Sequence, residues 1–293
     1  MKAERKQVDV SGSKLAYQEW GEGPVVLCLH ALGHDSDDYL ALKELPGAHR
    51  FRFIALDFPG HGASQAGKAD SAQAYACGVE DFLRKLNVRR LYIAGNSIGG
   101  AVALRLAMFS EIEVIGLILA NPGGLDVGTF PGPQVIRLMS RFFRAGARGR
   151  SWYSRLFSLY YRSVLPTNTS AARARRRRIV EHCYEIAPLL ARGWESFGRP
   201  EEDLTPYIEK VRCPVLFTWA MKDRFVQYSR NKKSIRRFSR PSVSKYRVGH
   251  CPALEAPERY MRDLCDFLDA CESRDTMEKR PAPTLKILRS ASR

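Results

Sequence analysis

The sequence predicts an α/β fold in which a mostly parallel central sheet of about eight strands carries helices on both faces and an inserted helical cap. Three observations predict it. Short apolar or β-branched runs alternate with helix-like stretches through residue 124, the alternation lapses into an arginine-rich helical region, and it resumes near residue 213. With 45% of its 293 residues apolar and 27% charged, the chain has enough apolar surface for one large core with an excursion, which excludes global disorder.

Residues 7–10 and 14–20 read as a hairpin across Ser11-Gly12-Ser13. Residues 25–30, 51–57, 90–95 and 113–120 are apolar runs of buried-strand length. Between them, helices are expected over 71–86, where apolar residues recur near the i, i+3, i+4 spacing, and over 98–108, rich in Ala and Leu. Continuous apolar strands separated by helices imply a parallel sheet covered on both faces. The pattern breaks at Asn121-Pro122-Gly123-Gly124, and from about residue 127 to 199 no strand-like run occurs. A strand over 213–219, a helix from about 227, a strand over 243–248 and a last helix from Pro257 to about Ala270 complete the core. The expected organisation is therefore a first core part at 1–124, a basic helical cap at 125–200, a second core part at 201–271 and a loosely ordered basic tail at 272–293.

The net charge of +16 is concentrated. Residues 137–199 hold fourteen Arg, no Lys and three Glu, a net +11; residues 272–293 add +3, and the rest of the chain is nearly neutral. Arg137, Arg141, Arg144 and Arg148 stack on one helical face opposite Val135, Leu138, Met139, Phe142 and Phe143, and a second stretch sets Trp152, Leu156, Leu159 and Tyr160 against Arg155 and Arg162. The plain expectation is a cap that packs apolar side chains over a site and leaves its arginines in water. The sharper one is peripheral contact with an anionic membrane, or attraction of acidic substrates. The run from Arg173 to Arg178 also suits nucleic acid, but no nucleic-acid fold accompanies it, so nucleic acid is not an expected partner. No apolar run approaches the roughly 18–20 residues of a membrane span. The start, Met-Lys-Ala-Glu-Arg-Lys, lacks the apolar segment of a signal peptide, and a cytoplasmic location is expected, at most peripheral to the inner face of a membrane. Seven cysteines without a C-x-x-C pair or zinc-type spacing are expected to be reduced thiols, mostly in the core.

The chemistry is expected where the strand at 90–95 runs into Gly95-Asn96-Ser97-Ile98-Gly99-Gly100 and then directly into a helix. A bare Gly-x-Ser-x-Gly arises by chance in about one chain in ten of this length at ordinary Gly and Ser usage, so the motif alone is weak. Strand–turn–helix context strengthens it, because flanking glycines let the backbone turn sharply and hold the Ser hydroxyl above the sheet. Three other segments converge on it. His30-Ala31-Leu32-Gly33 ends a buried strand where backbone N–H groups can serve an oxyanion, with Leu32 the first choice, Ala31 the second, and Ile98 supplying the other donor. Asp223 lies just beyond the strand at 213–219, and His250 just beyond the last strand. The chain order Ser, Asp, His is that of α/β-hydrolases.

On these residues the chain resembles the α/β-hydrolase superfamily, in its cap-bearing branch of esterases, lipases and carbon–carbon bond hydrolases. Asp57-Phe58-Pro59-Gly60-His61-Gly62-Ala63-Ser64 adds to the likeness, since the family often carries Asp-x-x-Gly-x-Gly-x-Ser there. The resemblance covers about residues 14–124 and 200–270, with the excursion where the family inserts its cap. It implies a serine hydrolase acting on a carboxylic ester of a small or lipid-like substrate: Ser97 as nucleophile, His250 as base and Asp223 as the acid that orients it, with Asp126 the rival acid. A Ser at this turn excludes the mechanism of related dehalogenases and epoxide hydrolases, which use Asp. No metal or organic cofactor is implied. His34 and His61 are expected to be turn residues, and Cys251 a bystander beside the base. Gly-Asn-Ser-x-Gly-Gly is also similar to hydrolases of meta-cleavage products, which cleave vinylogous diketones from aromatic degradation. Those usually have a more glycine-rich oxyanion turn and a Trp after the His, whereas this chain has His250-Cys251-Pro252, so an ester is expected over a carbon–carbon bond. A fold relative that binds a ligand without catalysis is the competing class.

Overall fold

Two consecutive residues at positive φ, Ser11 at 52° and Gly12 at 82°, close the N-terminal hairpin, a conformation that Gly and small polar residues tolerate. It joins β1 (Arg5–Val10) to β2 (Ser13–Trp20) in a computed structural model that describes residues 5–67, 69–126 and 132–278. The remaining strands are β3 (Val25–Leu29), β4 (Arg52–Leu56), β5 (Arg90–Asn96), β6 (Glu113–Ala120), β7 (Val215–Ala220) and β8 (Pro241–Tyr246). They form one eight-stranded sheet in the order β1-β2-β4-β3-β5-β6-β7-β8. β2 runs antiparallel to both its neighbours, and the other pairs are parallel.

Both faces of the sheet are covered, which is why the central strands read as continuous apolar runs. Leu27 and Leu29 of β3 and Leu91 and Ile93 of β5 pack towards α1 (Ala72–Lys85) and α2 (Ile98–Phe109), in a cluster with Phe82 and Val102. The alternate residues Val26, Cys28, Tyr92 and Ala94 join Tyr260, Leu264 and Leu268 of α9 (Pro257–Glu278) on the opposite face. Ser71 starts α1 by accepting from the Ala74 N–H at 3.2 Å, one of the donors a helix start leaves unpaired.

Several boundaries differ from expectation, among them the start of β1 at Arg5, the span of β7 at Val215–Ala220, and those of β8 and the last helix. β8 begins at Pro241 and ends at Tyr246 rather than spanning 243–248. It is an edge strand with exposed residues at its start, so its hydropathy signal is weak, and Pro is tolerated at the first position of such a strand. The Val248 carbonyl instead accepts the Lys222 N–H at 3.0 Å, tying the loop after β8 to the loop after β7. The last helix, expected to end near Ala270, continues to Glu278. Residues 127–131 of the expected cap and 279–293 of the expected tail lie outside the described residues.

Between β6 and β7 stand four helices, α3 (Pro133–Ala147), α4 (Tyr153–Val164), α5 (Ser170–Glu181) and α6 (Cys183–Ser196). Phe143, Tyr153, Phe157, Tyr161 and Trp194 give them a core of their own, which continues onto Cys251 and Leu254 beside the loop that follows β8. The amphipathic faces expected from sequence need correction. Leu138, placed on the buried face of α3, is 65% exposed. On α4 the buried stripe is Tyr153, Phe157, Tyr161 and Val164, while Trp152, Leu156 and Leu159 face water; of the expected set only Tyr160 turns inward. α7 (Tyr228–Ile235) follows β7, and the short α8 (Pro252–Glu255) follows the loop after β8. Among the described residues no helix is long and apolar enough to cross a membrane, and all seven cysteines are free, five of them buried.

The run from Arg173 to Arg178 is not a solvated face throughout. Arg175 is buried and clamps α5 to the core, its Nε 2.9 Å from Asp38 Oδ1 and its Nη1 3.0 Å from Asp35 Oδ2. Burial pushes both carboxyls up, but the Arg175 guanidinium, with His34 beside Asp38, outweighs it and holds them below the ordinary carboxylate range. Removing one partner of a buried ion pair leaves the other charge uncompensated, at a cost of about 3–5 kcal/mol. Arg175→Ala is therefore expected to lower the stability read from urea unfolding by about that amount. The clamp's contribution in the parent protein is present above the ordinary carboxylate range and fades as pH falls through the depressed folded-state values. A loss in Arg175→Ala no larger than that of an exposed Arg173→Ala would contradict it.

Candidate active site

Ser97 sits at the junction of β5 and α2 with φ 57° and ψ −115°, outside the regions a side chain ordinarily adopts, at a strain of about 1–3 kcal/mol. The glycines around it are sterically required. A Cβ on Gly95 would meet the Gly99 carbonyl oxygen at 2.4 Å, and one on Gly99 would meet the Leu29 carbonyl oxygen at 2.3 Å. Backbone bonds tie the turn to the end of β6: the Ser97 N–H donates to the Ala120 carbonyl at 2.9 Å, and the Ser97 carbonyl accepts the Gly123 N–H at 3.0 Å. Although Ser97 occupies the N-cap position of α2, its hydroxyl makes no capping bond.

Asp223 and His250 lie on the loops beyond β7 and β8 and meet, His250 Nδ1 donating to Asp223 Oδ2 at 2.6 Å. The second carboxylate oxygen accepts the N–H groups of Phe225 at 2.7 Å and Val226 at 3.2 Å. Burial lowers the His250 pKa, but the charge and hydrogen bond of Asp223 outweigh it, leaving the imidazole raised above its ordinary value. Ser97 and His250 line one cavity together with Leu32 and Ile98. Among the described residues neither the Leu32 nor the Ile98 N–H has a hydrogen-bond partner. Ala31, the second choice as a donor, does not line the cavity; its carbonyl accepts from the His34 N–H at 3.1 Å and from His30 Nδ1 at 2.8 Å.

The alpha/beta hydrolase family matches residues 26–263. The chain belongs to that family. An uncharacterized protein of Mycobacterium tuberculosis is 38% identical over 117 residues, 40% of this chain and 34% of that one, so this chain spans about a third of that relative's length. A 2-hydroxy-6-oxo-6-phenylhexa-2,4-dienoate hydrolase of Comamonas testosteroni is 25% identical over 292 residues, 91% of this chain and 95% of that one. Among solved structures, a membrane phospholipase A described as a bacterial virulence factor is similar with a TM-score of 0.74 and 25% identity, over 92% of this chain and 87% of that one.

In this alpha/beta hydrolase two asparagines that sequence reasoning passed over position the site. Asn121, buried at the end of β6, donates from Nδ2 to Asp223 Oδ2 at 2.8 Å and accepts the Ala220 N–H at 2.8 Å. Asn96, beside Ser97, donates to the His250 carbonyl at 2.9 Å. Their only sequence signal is a polar amide at the carboxyl end of an otherwise apolar strand. His30 and His61, both buried, brace the turn that holds Leu32: His30 Nε2 accepts the Phe58 N–H at 3.0 Å, and His61 Nε2 accepts the Gly33 N–H at 3.1 Å. Burial pushes both imidazoles down, which keeps them neutral and able to accept.

The rest of the cavity is largely apolar, with Tyr160, Leu190, Trp194, Phe197 and Val226 in its wall. Asp126 also lines it, its carboxyl raised by burial against the opposing charge of Arg230, and His250 takes Asp223 as its partner instead. His34 faces the cavity with Nδ1 2.7 Å from Asp38 Oδ2. The Cys251 thiol points to the same carboxylate oxygen at 3.6 Å, and burial pushes it well above the ordinary thiol range, so it does not supply a thiolate. The helices between β6 and β7 reach the site directly, the His250 N–H donating to the Val164 carbonyl of α4 at 2.8 Å.

Proposed function

We propose that this hydrolase cleaves a carboxylic ester of a small or lipid-like substrate through an acyl-enzyme on Ser97. The observation that carries the reading is the 2.6 Å Asp223–His250 bond in the cavity that Ser97 lines from a strained turn. His250, with its Nδ1 proton held by Asp223, takes the Ser97 hydroxyl proton at Nε2 as Oγ attacks the ester carbonyl. The Leu32 and Ile98 N–H groups donate to the oxyanion, and collapse of the tetrahedral intermediate expels an alkoxide that His250 protonates. Water, activated by the same imidazole, then releases the acid and restores Ser97. The apolar wall, and the likeness to a phospholipase over most of the chain, favour an acyl chain as the buried part.

Carbon–carbon cleavage is the second reading, favoured by the Comamonas relative that matches nearly the whole chain. Leu32 in the oxyanion turn and Cys251-Pro252 after the base argue for the ester. A panel of p-nitrophenyl esters of rising chain length, run beside a 2-hydroxy-6-oxo-dienoate, separates the two. Turnover is expected across the esters with kcat/KM rising into medium chain lengths, and little on the dienoate. Efficient dienoate cleavage with feeble ester turnover would reverse the assignment.

A further inference from the structure

The outer face of α4 has a composition that its role as cap does not require. Trp152, Leu156 and Leu159 follow one helical stripe and are 46%, 48% and 58% exposed. Arg155 and Arg162 fall in the same stripe, exposed, and among the described residues neither has an ionic or hydrogen-bonding partner for its side chain. Of the other cap arginines, Arg144 is paired with Glu195, Arg175 with Asp35 and Asp38, and Arg178 with Asp37, whereas Arg137, Arg141 and Arg148 of α3 are exposed and likewise unpaired among the described residues. Shallow hollows flank the stripe on both sides. One sets Leu159 and Arg162 beside Lys222 and Arg224, and the other sets Arg155 and Leu159 beside Val180. Lys222 and Arg224 are likewise exposed and unpaired among the described residues.

We propose that this face of α4 is a docking surface for an anionic lipid bilayer. Large apolar side chains interleaved with unpaired cations suit the headgroup boundary, where the former enter the acyl region and the latter meet lipid phosphates. A second copy of the chain would bring its own unpaired cations against these. A polyanion such as nucleic acid would engage the arginines and leave the apolar stripe uncovered. The position also suits lipid: Tyr160, Tyr161 and Val164 of α4 line the cavity from the inside, and a helix with its side chains is about 10 Å across, so a docked bilayer lies one helix away from Ser97. The sequence pointed to arginines of both α3 and α4; α3 exposes one large apolar side chain, Leu138, beside its arginines, whereas the α4 stripe exposes three, which favours α4.

Because docking does not depend on the chemistry assigned to Ser97, it is tested on the full chain carrying Ser97→Ala. That protein is expected to sediment with vesicles of phosphatidylglycerol and phosphatidylcholine but not with pure phosphatidylcholine, and to be released as salt rises. Trp152 emission should shift to the blue on binding, a shift that Trp152→Phe removes. Each basic residue at an anionic surface strengthens binding about fivefold, so Arg155→Gln with Arg162→Gln should weaken it about 25-fold. Leu156→Ser with Leu159→Ser should also weaken it while leaving soluble-ester turnover in the Ser97 parent unchanged. Equal sedimentation with both vesicle types, or with neither, overturns the proposal. So does tight binding to a DNA duplex that the two Leu substitutions leave unaltered.

Discussion

Ser97→Ala is expected to lower kcat for an ester by about 10⁶ while leaving the unfolding transition within about 0.5 kcal/mol of the parent. Both halves follow from the turn. A Ser at a helix N-cap ordinarily accepts from a backbone N–H, and its loss costs about 1 kcal/mol. Here the hydroxyl makes no such bond, so deleting it removes a nucleophile and no structural contact. Nor does Ala add strain, because the unusual φ of 57° is already occupied by a residue with a Cβ. A fluorophosphonate should label Ser97 in the parent and nothing in the variant. Substantial turnover by Ser97→Ala would sink the acyl-enzyme, and a parent that neither labels nor turns over any ester or dienoate would return the chain to the class of ligand-binding fold relatives.

Much of this candidate site was legible because Ser97 and Asp223 sit just past the carboxyl ends of strands that the hydropathy pattern marks, and His250 just past the more weakly marked edge strand β8. The sheet order then brings three loops together that are far apart in the chain. Asn96 and Asn121 were not legible. A buried amide has no periodicity, and its value lies in partners such as Asp223 that are 102 residues away. β8 was displaced by two residues for a related reason: an edge strand exposes alternate and terminal residues, so apolar content no longer marks its start.

The helices between β6 and β7 show where patterning misleads. The apolar residues along α4 cover a wide arc of the helix, so Trp152, Leu156 and Leu159 and the set Tyr153, Phe157 and Tyr161 both satisfy helical spacing. Only packing against Phe143 and Trp194 decides which set turns inward. Arg175 is the converse. Inside a run of arginines it reads as solvated, yet its carboxylate partners lie 137 and 140 residues upstream. The helical character of the excursion was therefore readable, as were the two faces of α3 apart from Leu138, while the inside of α4 and the burial of Arg175 were not.

Asp223→Asn is expected to reduce kcat by about 10⁴, the scale seen when the Asp of a protease triad is amidated, and Asp126→Asn to change it little. The carboxylate of Asp223 accepts four hydrogen bonds, from His250 and Asn121 at one oxygen and from the Phe225 and Val226 N–H groups at the other. An amide must turn its NH₂ towards one of these sets of donors. Facing the backbone pair, it breaks the loop; facing His250, it forces Nδ1 to accept, which moves the imidazole proton to Nε2 and removes the lone pair that would take the Ser97 proton. The pH profile gives an independent readout. Because Asp223 raises the His250 pKa despite burial, and the base acts only when unprotonated, the acid limb of kcat/KM in the parent should lie above the ordinary imidazole value of about 6.5. In Asp223→Asn the raising charge is gone and burial remains, so the limb of the residual activity should move to lower pH. Asp126→Asn should leave the limb where it was. A deep loss and a displaced limb in Asp126→Asn, with Asp223→Asn near normal, would transfer the orienting role to Asp126 and require the loop after β6 to swing towards His250.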